Sequence, residues 1–241
     1  LQEETKIPAT VRSLDEVRLK ARAVDLLPRM LDEEPGILTQ QTTPGQGSPI
    51  LRGQSAQAVL YLLDGVRYNN ATYRAGNTQY LAWIPDVAVD SVEVLLGPAG
   101  VNYGSDALGG AVNVISKPLP GFVPERTRWS GDVRVFGESA SLGGGANMTL
   151  GGSGRNWAAY VAANASRHND LRGGGGVDTH HSSARFLGLD SEQVRDAFGG
   201  RYQNTGYSAA GLTAKASLRT GSTGTLSGYL VRSEQYDVRR Y

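Results

Sequence analysis

The sequence predicts a small α+β domain followed by antiparallel transmembrane β-strands that form part of a barrel. Up to about residue 118, short apolar runs alternate with helical stretches and long loops rich in turn-forming residues. Beyond that point, longer segments alternate apolar and polar residues, which is the pattern of strands with one face in lipid. The composition shifts at the same place, because 21 of the 32 glycines lie after Pro118.

Composition excludes several classes of protein. The formal net charge is +1 and the basic residues are scattered along the 241 residues, so no nucleic-acid partner is expected. The absence of cysteine excludes disulfides, thiolate metal sites and thiol nucleophiles. No run of about 18 apolar residues is present, so a membrane-spanning helix is not expected either. Membrane insertion therefore has to rest on strands.

Two short helices are predicted near the N-terminus. Ser13 and Glu16 have the spacing of a capping box, and Leu14 begins an apolar stripe at helical intervals. A second helical stretch is predicted over the apolar residues 26–31, with Pro28 in its first turn, where a missing N–H costs little. Core packing accounts for the apolar faces of both helices.

Short strands follow in the same domain. The continuous apolar run 58–63 predicts a strand covered on both faces, and Asp64-Gly65 after it predicts a tight hairpin. Residues 91–96 and 111–115 are predicted strands of the same kind. The glycines within 97–110 do not form a nucleotide-binding loop, because the residues after them continue as a strand and do not open a helix.

The C-terminal half contains five predicted strands. Segments of about 9 to 11 alternating residues can cross an outer membrane. Segments 140–150, 157–166 and 207–219 alternate cleanly, whereas 129–136 and 225–234 alternate less regularly. This half of the chain is therefore predicted to be a run of barrel strands.

The lengths of the connections give these strands a direction. If the first strand runs outward from an enclosed domain, the turns near 151–155 and 220–224 are periplasmic and the segment 167–206 is extracellular. Outer-membrane barrels have short periplasmic turns and long outer loops, in agreement with these lengths. The alternative is a soluble β-sandwich. The alanine-rich apolar faces and the glycine content would leave the core of such a sandwich poorly filled.

Four blocks of sequence resemble the plug domain of TonB-dependent outer-membrane receptors. They are Leu51-Arg52-Gly53, residues 59–67 (VLYLLDGVR), residues 89–98 (VDSVEVLLGP) and residues 103–118 (YGSDALGGAVNVISKP). They occur in the order and spacing typical of the family. A weaker similarity to haem and haemoglobin receptors of the family covers residues 69–80 and 233–241.

The resemblance implies a plug domain over residues 1–120 and the first strands of an outer-membrane β-barrel over residues 121–241. Barrels of this family have about 22 strands, so the remaining barrel segment of the same receptor is expected as a partner. The implied location is the bacterial outer membrane. The other implied partners are outer-membrane lipid and the TonB-ExbB-ExbD energy-transducing complex, although residues 1–8 match a TonB box only loosely.

The resemblance also implies how the plug is held. Plug arginines of the family are expected to pair with barrel carboxylates and keep the plug in place. Arg52 matches one of these arginines and is the predicted plug–barrel lock. At the position of the other, this sequence has Leu96. Half of the lock is therefore expected to survive.

In the family, ligand lies on the outward-facing loops of the plug. The predicted ligand-binding residues in these loops are Gln46, Tyr68, Tyr73, Arg74 and Tyr103. They combine aromatic faces with a cation, which suits a flat or anionic chelate. The alternative is that the aromatic residues pack against the barrel wall.

The adjacent histidines His180 and His181 are a second, speculative candidate in the predicted outer loop. Imidazole is a common ligand of iron and haem. Adjacent histidines in a loop are also ordinary solvated residues, and no further ligand lies at a useful spacing. No resident metal or cofactor is predicted.

Three functions compete at this point. A plugged barrel predicts triggered import of a scarce nutrient, a ferric siderophore or haem. The alternative is a degenerate receptor that serves as a structural or interaction component of an outer-membrane complex, which Leu96 and the loose TonB box favour. An enzyme is not expected, because all three histidines lie in or beside one loop and no serine or carboxylate pair is placed as a catalytic triad requires.

Overall fold

The protein is described by a computed structural model that covers residues 10–22, 26–69, 79–172, 186–190, 192–193, 201–202 and 204–239. These residues form two five-stranded sheets and two small two-stranded sheets. The first large sheet lies in the N-terminal half, and the second lies within residues 128–236. The predicted fold class, an α+β domain followed by antiparallel strands, is confirmed.

The strands in the described residues are β1 (Thr10–Asp15), β2 (Ile37–Gln40), β3 (Ser48–Leu51), β4 (Val59–Leu63), β5 (Val66–Arg67), β6 (Val89–Leu96), β7 (Gly110–Ser116), β8 (Arg128–Glu138), β9 (Gly143–Ser153), β10 (Trp157–His168), β11 (Leu171–Arg172), β12 (Arg201–Tyr202), β13 (Tyr207–Thr220) and β14 (Gly224–Tyr236). The α-helices are α1 (Glu16–Ala21), α2 (Leu27–Met30) and α3 (Gly100–Tyr103). Short 3₁₀ turns lie at Ala56–Ala58, Tyr80–Trp83 and Asp86–Ala88. None of the helices in the described ranges has the length and hydropathy needed to cross a bilayer.

The N-terminal sheet is mixed, with the strand order β1-β6-β7-β4-β5. Strand β6 pairs antiparallel with β1 and β7, whereas β4 runs parallel to β7. All five residues of β4 are buried, as its continuous apolar run predicted. Asp64 and Gly65 turn the chain into β5 with φ angles of 51° and 79°. Positive φ at both positions suits the twist of a tight hairpin, so the predicted hairpin is confirmed.

The largest apolar core of the described residues lies against one face of this sheet, and a smaller cluster that includes Leu60 and Leu62 covers the other face. The larger core takes side chains from β1, α1, α2, β2, β3, β4, β6 and β7, and from the 3₁₀ turn Tyr80–Trp83. Among its most buried members are Leu14, Leu27, Leu31, Tyr61, Leu81, Val92 and Val112. Helix α2 begins at Leu27 with Pro28 in its first turn, as predicted.

The predicted start of the first helix was wrong. Ser13 and Leu14 belong to strand β1, which pairs with β6 from Thr10 to Asp15. Asp15 is the N-cap, and its carboxylate accepts a hydrogen bond from the backbone N–H of Arg18 at 2.9 Å. Leu14 pairs with Val92 of β6 and is completely buried in the core. Tertiary burial therefore overrides the capping-box spacing.

A buried carboxylate fixes α1 to the turn after α2. Glu34 is almost fully buried and receives hydrogen bonds from Arg18 at 2.8 Å and from Arg22 at 2.6 Å. Arg22 is itself nearly buried and also donates to the carbonyl oxygen of Met30. Because a buried charge is costly unless it is paired and hydrogen-bonded, this arrangement specifies how the two helices meet.

The C-terminal sheet is an antiparallel meander with the order β14-β13-β10-β9-β8. The predicted strands at 129–136, 157–166, 207–219 and 225–234 all lie within observed strands. The predicted strand at 140–150 starts too early, because residues 139–142 form a turn in which Leu142 has a φ of 48°. Strand β9 then runs on to Ser153, past the predicted end, so the next turn is confined to residues 154–156.

Apolar and polar residues alternate along the strands, so this sheet has one apolar face and one polar face. The apolar side chains on the exposed face are Trp129, Val133, Val135, Met148, Leu150, Leu212, Leu218, Leu226 and Leu230. Polar residues on the opposite face, among them Asn147, Thr213 and Ser217, are buried beneath the N-terminal domain. One face is thus suited to lipid and the other to a polar interior, as barrel strands require.

Two tryptophans lie at the same end of the sheet. The rings of Trp129 and Trp157 have centroids 5.5 Å apart, near the start of β8 and the start of β10. Close by, the guanidinium of Arg219 lies 4.6 Å from the ring centroid of Phe122. Aromatic residues form girdles at the water interfaces of outer-membrane barrels, and the Trp129–Trp157 pair at this end of the sheet fits that pattern.

The longest connection in the sheet lies at the opposite end. Strand β10 ends at His168 and β13 begins at Tyr207, as the predicted outer loop requires. The described part of this connection includes a two-stranded sheet of β11 and β12. The turns at 154–156 and 221–223 are short by comparison. The observed connection lengths therefore agree with the predicted orientation.

Gly110, at the start of β7, cannot accept a side chain. Its φ is 144°, and a Cβ there would collide with the carbonyl oxygen of Leu95 on β6. We expect Gly110→Ala to weaken the local stability of the N-terminal sheet by about 3 kcal/mol, from backbone strain and overpacking together. Amide hydrogen exchange of β6 and β7 measures this. Gly100→Ala is the matched control, since a Cβ at Gly100 has open space around it.

Glu16 couples α1 to the end of β7 in a pH-dependent way. Partial burial opposes its charged form, but hydrogen bonds from Lys20 and Lys117 outweigh that effect and lower its pKa below the ordinary 4.5. A lowered folded-state pKa gives stability that is present above pH 4.5 and is lost as the pH falls through the folded-state value. We expect Glu16→Gln to remove this acid dependence from hydrogen exchange in α1. An unchanged pH profile would contradict the assignment.

Candidate functional site

The two large sheets meet through the turn that precedes β6. Val87 and Ala88 of this 3₁₀ turn pack against Tyr160 and Ala162 on the polar face of β10. Asp86 lies 3.8 Å from the guanidinium of Arg134 on β8. The N-terminal domain therefore rests directly on the polar face of the C-terminal sheet. This sheet of β8, β9, β10, β13 and β14 is here called the strand wall, and its polar face is the inner face.

A second contact lies near the outer end of the wall. The loop of residues 43–47, here called the apical loop, places Gly45 against the ring of Tyr207. The amide of Gln235 on β14 donates to the carbonyl oxygen of Gly45 at 2.7 Å. Gln46 is half-buried, and its carbonyl oxygen accepts a hydrogen bond from the side chain of Gln41 at 3.1 Å. The predicted ligand residue Gln46 thus lies in a loop that touches the outer wall.

The outer rim of the wall is a polar cluster made of Glu138, Ser141, His168 and Tyr207. His168 is only 6% exposed, and its Nδ1 lies 2.6 Å from a carboxylate oxygen of Glu138. Ser141 hydrogen-bonds to the same carboxylate. The imidazole stacks on the ring of Tyr207 with centroids 4.5 Å apart. These contacts join the outer ends of β8, β10 and β13, and the apical loop rests on the same tyrosine.

A polar cavity of about 560 Å³ opens beside this rim. Its charged lining residues are Arg167, Arg172, Arg239, Asp170 and Asp237. One carboxylate oxygen of Asp170 already accepts hydrogen bonds from the backbone N–H groups of Thr205 and Gly206. Arginines outnumber the carboxylates, so the cavity can receive an anionic or hydrogen-bonding group.

Tyr68 belongs to a cluster of aromatic side chains. Its ring meets Tyr80 edge-on at 5.9 Å, and Tyr80 lies 5.7 Å from Tyr61. Tyr68 is half-buried at the margin of the main core, and this burial raises the pKa of its phenol. Tyr68 therefore packs as part of the core margin, and its contact with ligand stays a prediction.

Tyr103 is more accessible. It is the last residue of α3, within the segment predicted as a loop, and 46% of it is exposed. The chain after it is held by Arg67, which pairs with Asp106 at 2.6 Å and donates to the carbonyl oxygen of Ser105 at 2.8 Å. No contact between described residues joins Gln46, Tyr68 and Tyr103, so a common ligand pocket stays a prediction.

Arg52 has a local partner. Its guanidinium donates to the hydroxyl of Thr10 at 2.9 Å and lies beside Gly97. Within the described ranges it pairs with no carboxylate, so its role as plug–barrel lock stays a prediction. Leu96 is only 3% exposed and packs in the core. The position where the family has arginine is thus an apolar core position here.

Four predicted site residues, Tyr73, Arg74, His180 and His181, lie outside the described residues. Among the described residues, no group of three or more histidine, aspartate and glutamate side chains is placed to hold a metal ion. Sequence reasoning missed the pairing of His168 with Glu138. The sequence contained one indication of it. Alternation along β10 places His168 on the same inward face as Tyr160, where a polar partner is needed.

Comparison with known proteins finds similar sequences and similar folds. Residues 3–111 match the model of the TonB-dependent receptor plug domain. The vitamin B12 transporter BtuB of Vibrio vulnificus YJ016 is 35% identical over 119 residues, which are 48% of this chain and 19% of the relative. BtuB of strain CMCP6 is 39% identical over 108 residues, or 44% of this chain and 16% of the relative. The chain thus spans less than a fifth of these relatives.

Solved structures share the fold over nearly the whole chain. The siderophore receptor PirA from Acinetobacter baumannii has a TM-score of 0.62 at 20% identity, and covers 93% of this chain with 31% of its own. The copper transporter OprC has a TM-score of 0.68 at 13% identity over 93% of this chain and 31% of its own. At these identities the likeness shows the fold alone.

The contact between Gly45 and Tyr207 can be tested by adding a side chain. A Cβ at Gly45 would come within 2.8 Å of the Tyr207 ring. We expect Gly45→Val to push the apical loop off the wall, break the Gln235 hydrogen bond and speed amide exchange in residues 43–47 by about tenfold. Gly121→Val is the control, because a Cβ at Gly121 meets no neighbour. Equal exchange in both variants would show that the loop does not rest on Tyr207.

Proposed function

We propose that this chain, a member of the TonB-dependent receptor family, acts in the bacterial outer membrane as part of a gated importer of a scarce nutrient. The observation that carries the proposal is the packing of the N-terminal domain, the plug, on the polar face of the strand wall. A plug seated on the inner wall blocks passive flow. Passage of a nutrient must then be triggered.

The lipid partner follows from the other face of the wall. Its exposed side chains are apolar, and its tryptophans gather at one end. Such a surface is stable only against hydrocarbon. The open edges of β8 and β14 need further strands, because backbone groups in lipid must all be hydrogen-bonded. The remaining barrel segment of the receptor would supply them.

The energy source we propose is the TonB-ExbB-ExbD complex. TonB would recruit an extended N-terminal segment by adding it to the edge of its own sheet. In this chain the first described element is β1, the edge strand of the plug sheet. A pull on the N-terminus would therefore act first on the β1–β6 pairing.

For the ligand, we propose an iron chelate, either a ferric siderophore or haem. The exposed ring of Tyr103 offers a stacking surface, and the arginines of the rim cavity suit carboxylate, catecholate or propionate groups. Relatives are named for vitamin B12, siderophores and copper, so the class of ligand is a choice among these. Catalysis is not part of the proposal, in line with relatives that are named as transporters and receptors.

The alternative is a degenerate receptor that serves as a structural or interaction component of an outer-membrane complex. The observation that favours it is Leu96, which packs in the core where the family has a plug arginine. A plug without that arginine would still seal the barrel. It could lack the release step that import needs.

Ligand binding to the complete receptor separates these proposals. We expect tryptophan fluorescence titrations to give a Kd below about 1 μM for haemin or a ferric catecholate. Tyr103→Ala should weaken that binding roughly threefold to tenfold, the size of a lost aromatic contact. Tyr236→Ala, on the exposed face of β14, is the control. Binding of cyanocobalamin or Cu²⁺ alone would overturn the iron proposal. Binding of none, with normal growth on limiting iron without the receptor, would favour the degenerate receptor.

A further inference from the structure

Lys215 is a cation on the inner face of the strand wall. It lies in the middle of β13, where the register sets it between Tyr160 and Tyr229. Only 13% of its side chain is exposed. A lysine so enclosed has lost most of its water, and its charge must be balanced by neighbouring groups.

Those neighbouring groups belong mainly to the plug. The ammonium donates to the hydroxyl of Ser116 at 2.5 Å and to the carbonyl oxygen of Lys117 at 2.9 Å. It lies 3.6 Å from a carboxylate oxygen of Asp64 and 5.4 Å from the ring centroid of Tyr229. The three oxygens come from two separate places in the plug, the β4–β5 turn and the end of β7. One wall residue thus holds both.

The carboxylate of Asp64 is oriented within the plug itself. One oxygen accepts the backbone N–H of Ser116 at 2.8 Å, and the other accepts its hydroxyl. Asp64 also lies at the positive-φ position of the hairpin turn, which limits its freedom. The acceptor for Lys215 is therefore positioned by the plug fold and does not depend on the wall.

An apolar cavity of about 480 Å³ adjoins this contact. It lies between the β4–β5 hairpin and strands β13 and β14, and Val66, Tyr68, Tyr229 and Val231 line it. Strand β5 of this hairpin is one of the two edge strands of the plug sheet, and β4 is its neighbour. Release of Lys215 would free this hairpin to move into the cavity, which would open space along the wall.

We propose that Lys215 is a positioning residue that latches the β4–β5 hairpin of the plug to the barrel wall through Asp64 and Ser116. In this contact the cation belongs to the wall and the carboxylate belongs to the plug. A plug arginine held by barrel carboxylates has the opposite arrangement of charges. The arrangement at Lys215 fits a chain in which Leu96 lies in the core and Arg52 bonds to Thr10 of the plug itself. The inference rests on the proposed function only in that the complete barrel closes around the plug.

The test uses the complete receptor in an outer membrane, with no ligand and with TonB absent. We expect Lys215→Met and Asp64→Asn each to speed amide exchange in residues 64–68 by about tenfold or more, the loss expected for a charge-assisted hydrogen bond. Both should also raise sensitivity to a large antibiotic that the intact membrane excludes. The double variant should add little to either single change, because Lys215 holds the hairpin through the linked Asp64 and Ser116 side chains and each change breaks that link.

Two further variants make the result specific. Lys215→Arg keeps the cation and should restore wild-type exchange and antibiotic exclusion, which a purely steric role would not predict. Arg219→Met removes a cation four residues along β13, beside Phe122, and should leave the hairpin unchanged. Should Lys215→Met fail to reach the membrane, Asp64→Asn tests the same pair from the plug side.

Wild-type exchange and exclusion in Asp64→Asn and in any correctly inserted Lys215→Met would overturn the latch. So would equal effects in Arg219→Met. Because these measurements need neither a nutrient nor TonB, they remain decisive even if no iron compound binds. A failed latch and a failed import proposal can therefore be told apart.

Discussion

The strand wall has two faces in different solvents, and the rest of the molecule follows from that constraint. Lipid accepts only apolar side chains and fully paired backbone, so β8, β9, β10, β13 and β14 turn most of their valines, leucines and tryptophans outward. Alternation then forces the polar residues inward, where they would need water or a polar partner. The plug is that partner. Its loops, turns and strand ends present carbonyls and carboxylates to the wall, while most of its apolar residues lie in the plug core.

Most strand positions could be predicted because the alternation period is a local property. The continuous apolar run of β4 and the Asp64-Gly65 turn could also be predicted, since each depends on neighbouring residues alone. The errors came where tertiary contacts decide the outcome. Leu14 belongs to a strand because pairing with β6 buries it, although its spacing fits a helix. The start of β9 was misplaced because Leu142 enters a positive-φ turn, which alternation alone does not reveal.

The candidate site was harder to predict for the same reason. His168 meets Glu138 and Lys215 meets Asp64 across separations of 30 and about 150 residues, so their pairing requires the register of several strands and the seating of the plug. For Leu96 the sequence was informative and the structure supplied the explanation. The departure of this residue from the family pattern was visible in the sequence, but only the core packing shows that the position is filled by an apolar side chain. Tyr68, predicted to meet ligand, packs at the margin of the core.

The outward-facing residues of β10, which begin at Trp157, indicate the thickness of the bilayer that fits this sheet. From Trp157 to Ala165 the outward-facing side of β10 extends over nine residues, and the eight steps between them amount to about 27 Å along the strand. At a tilt near 40°, this corresponds to roughly 21 Å along the membrane normal. Such a hydrophobic thickness is smaller than that of an average bilayer and matches the thin outer membrane of bacteria. In a thicker membrane the surrounding lipid would have to compress, so the length of this segment favours a thin bilayer.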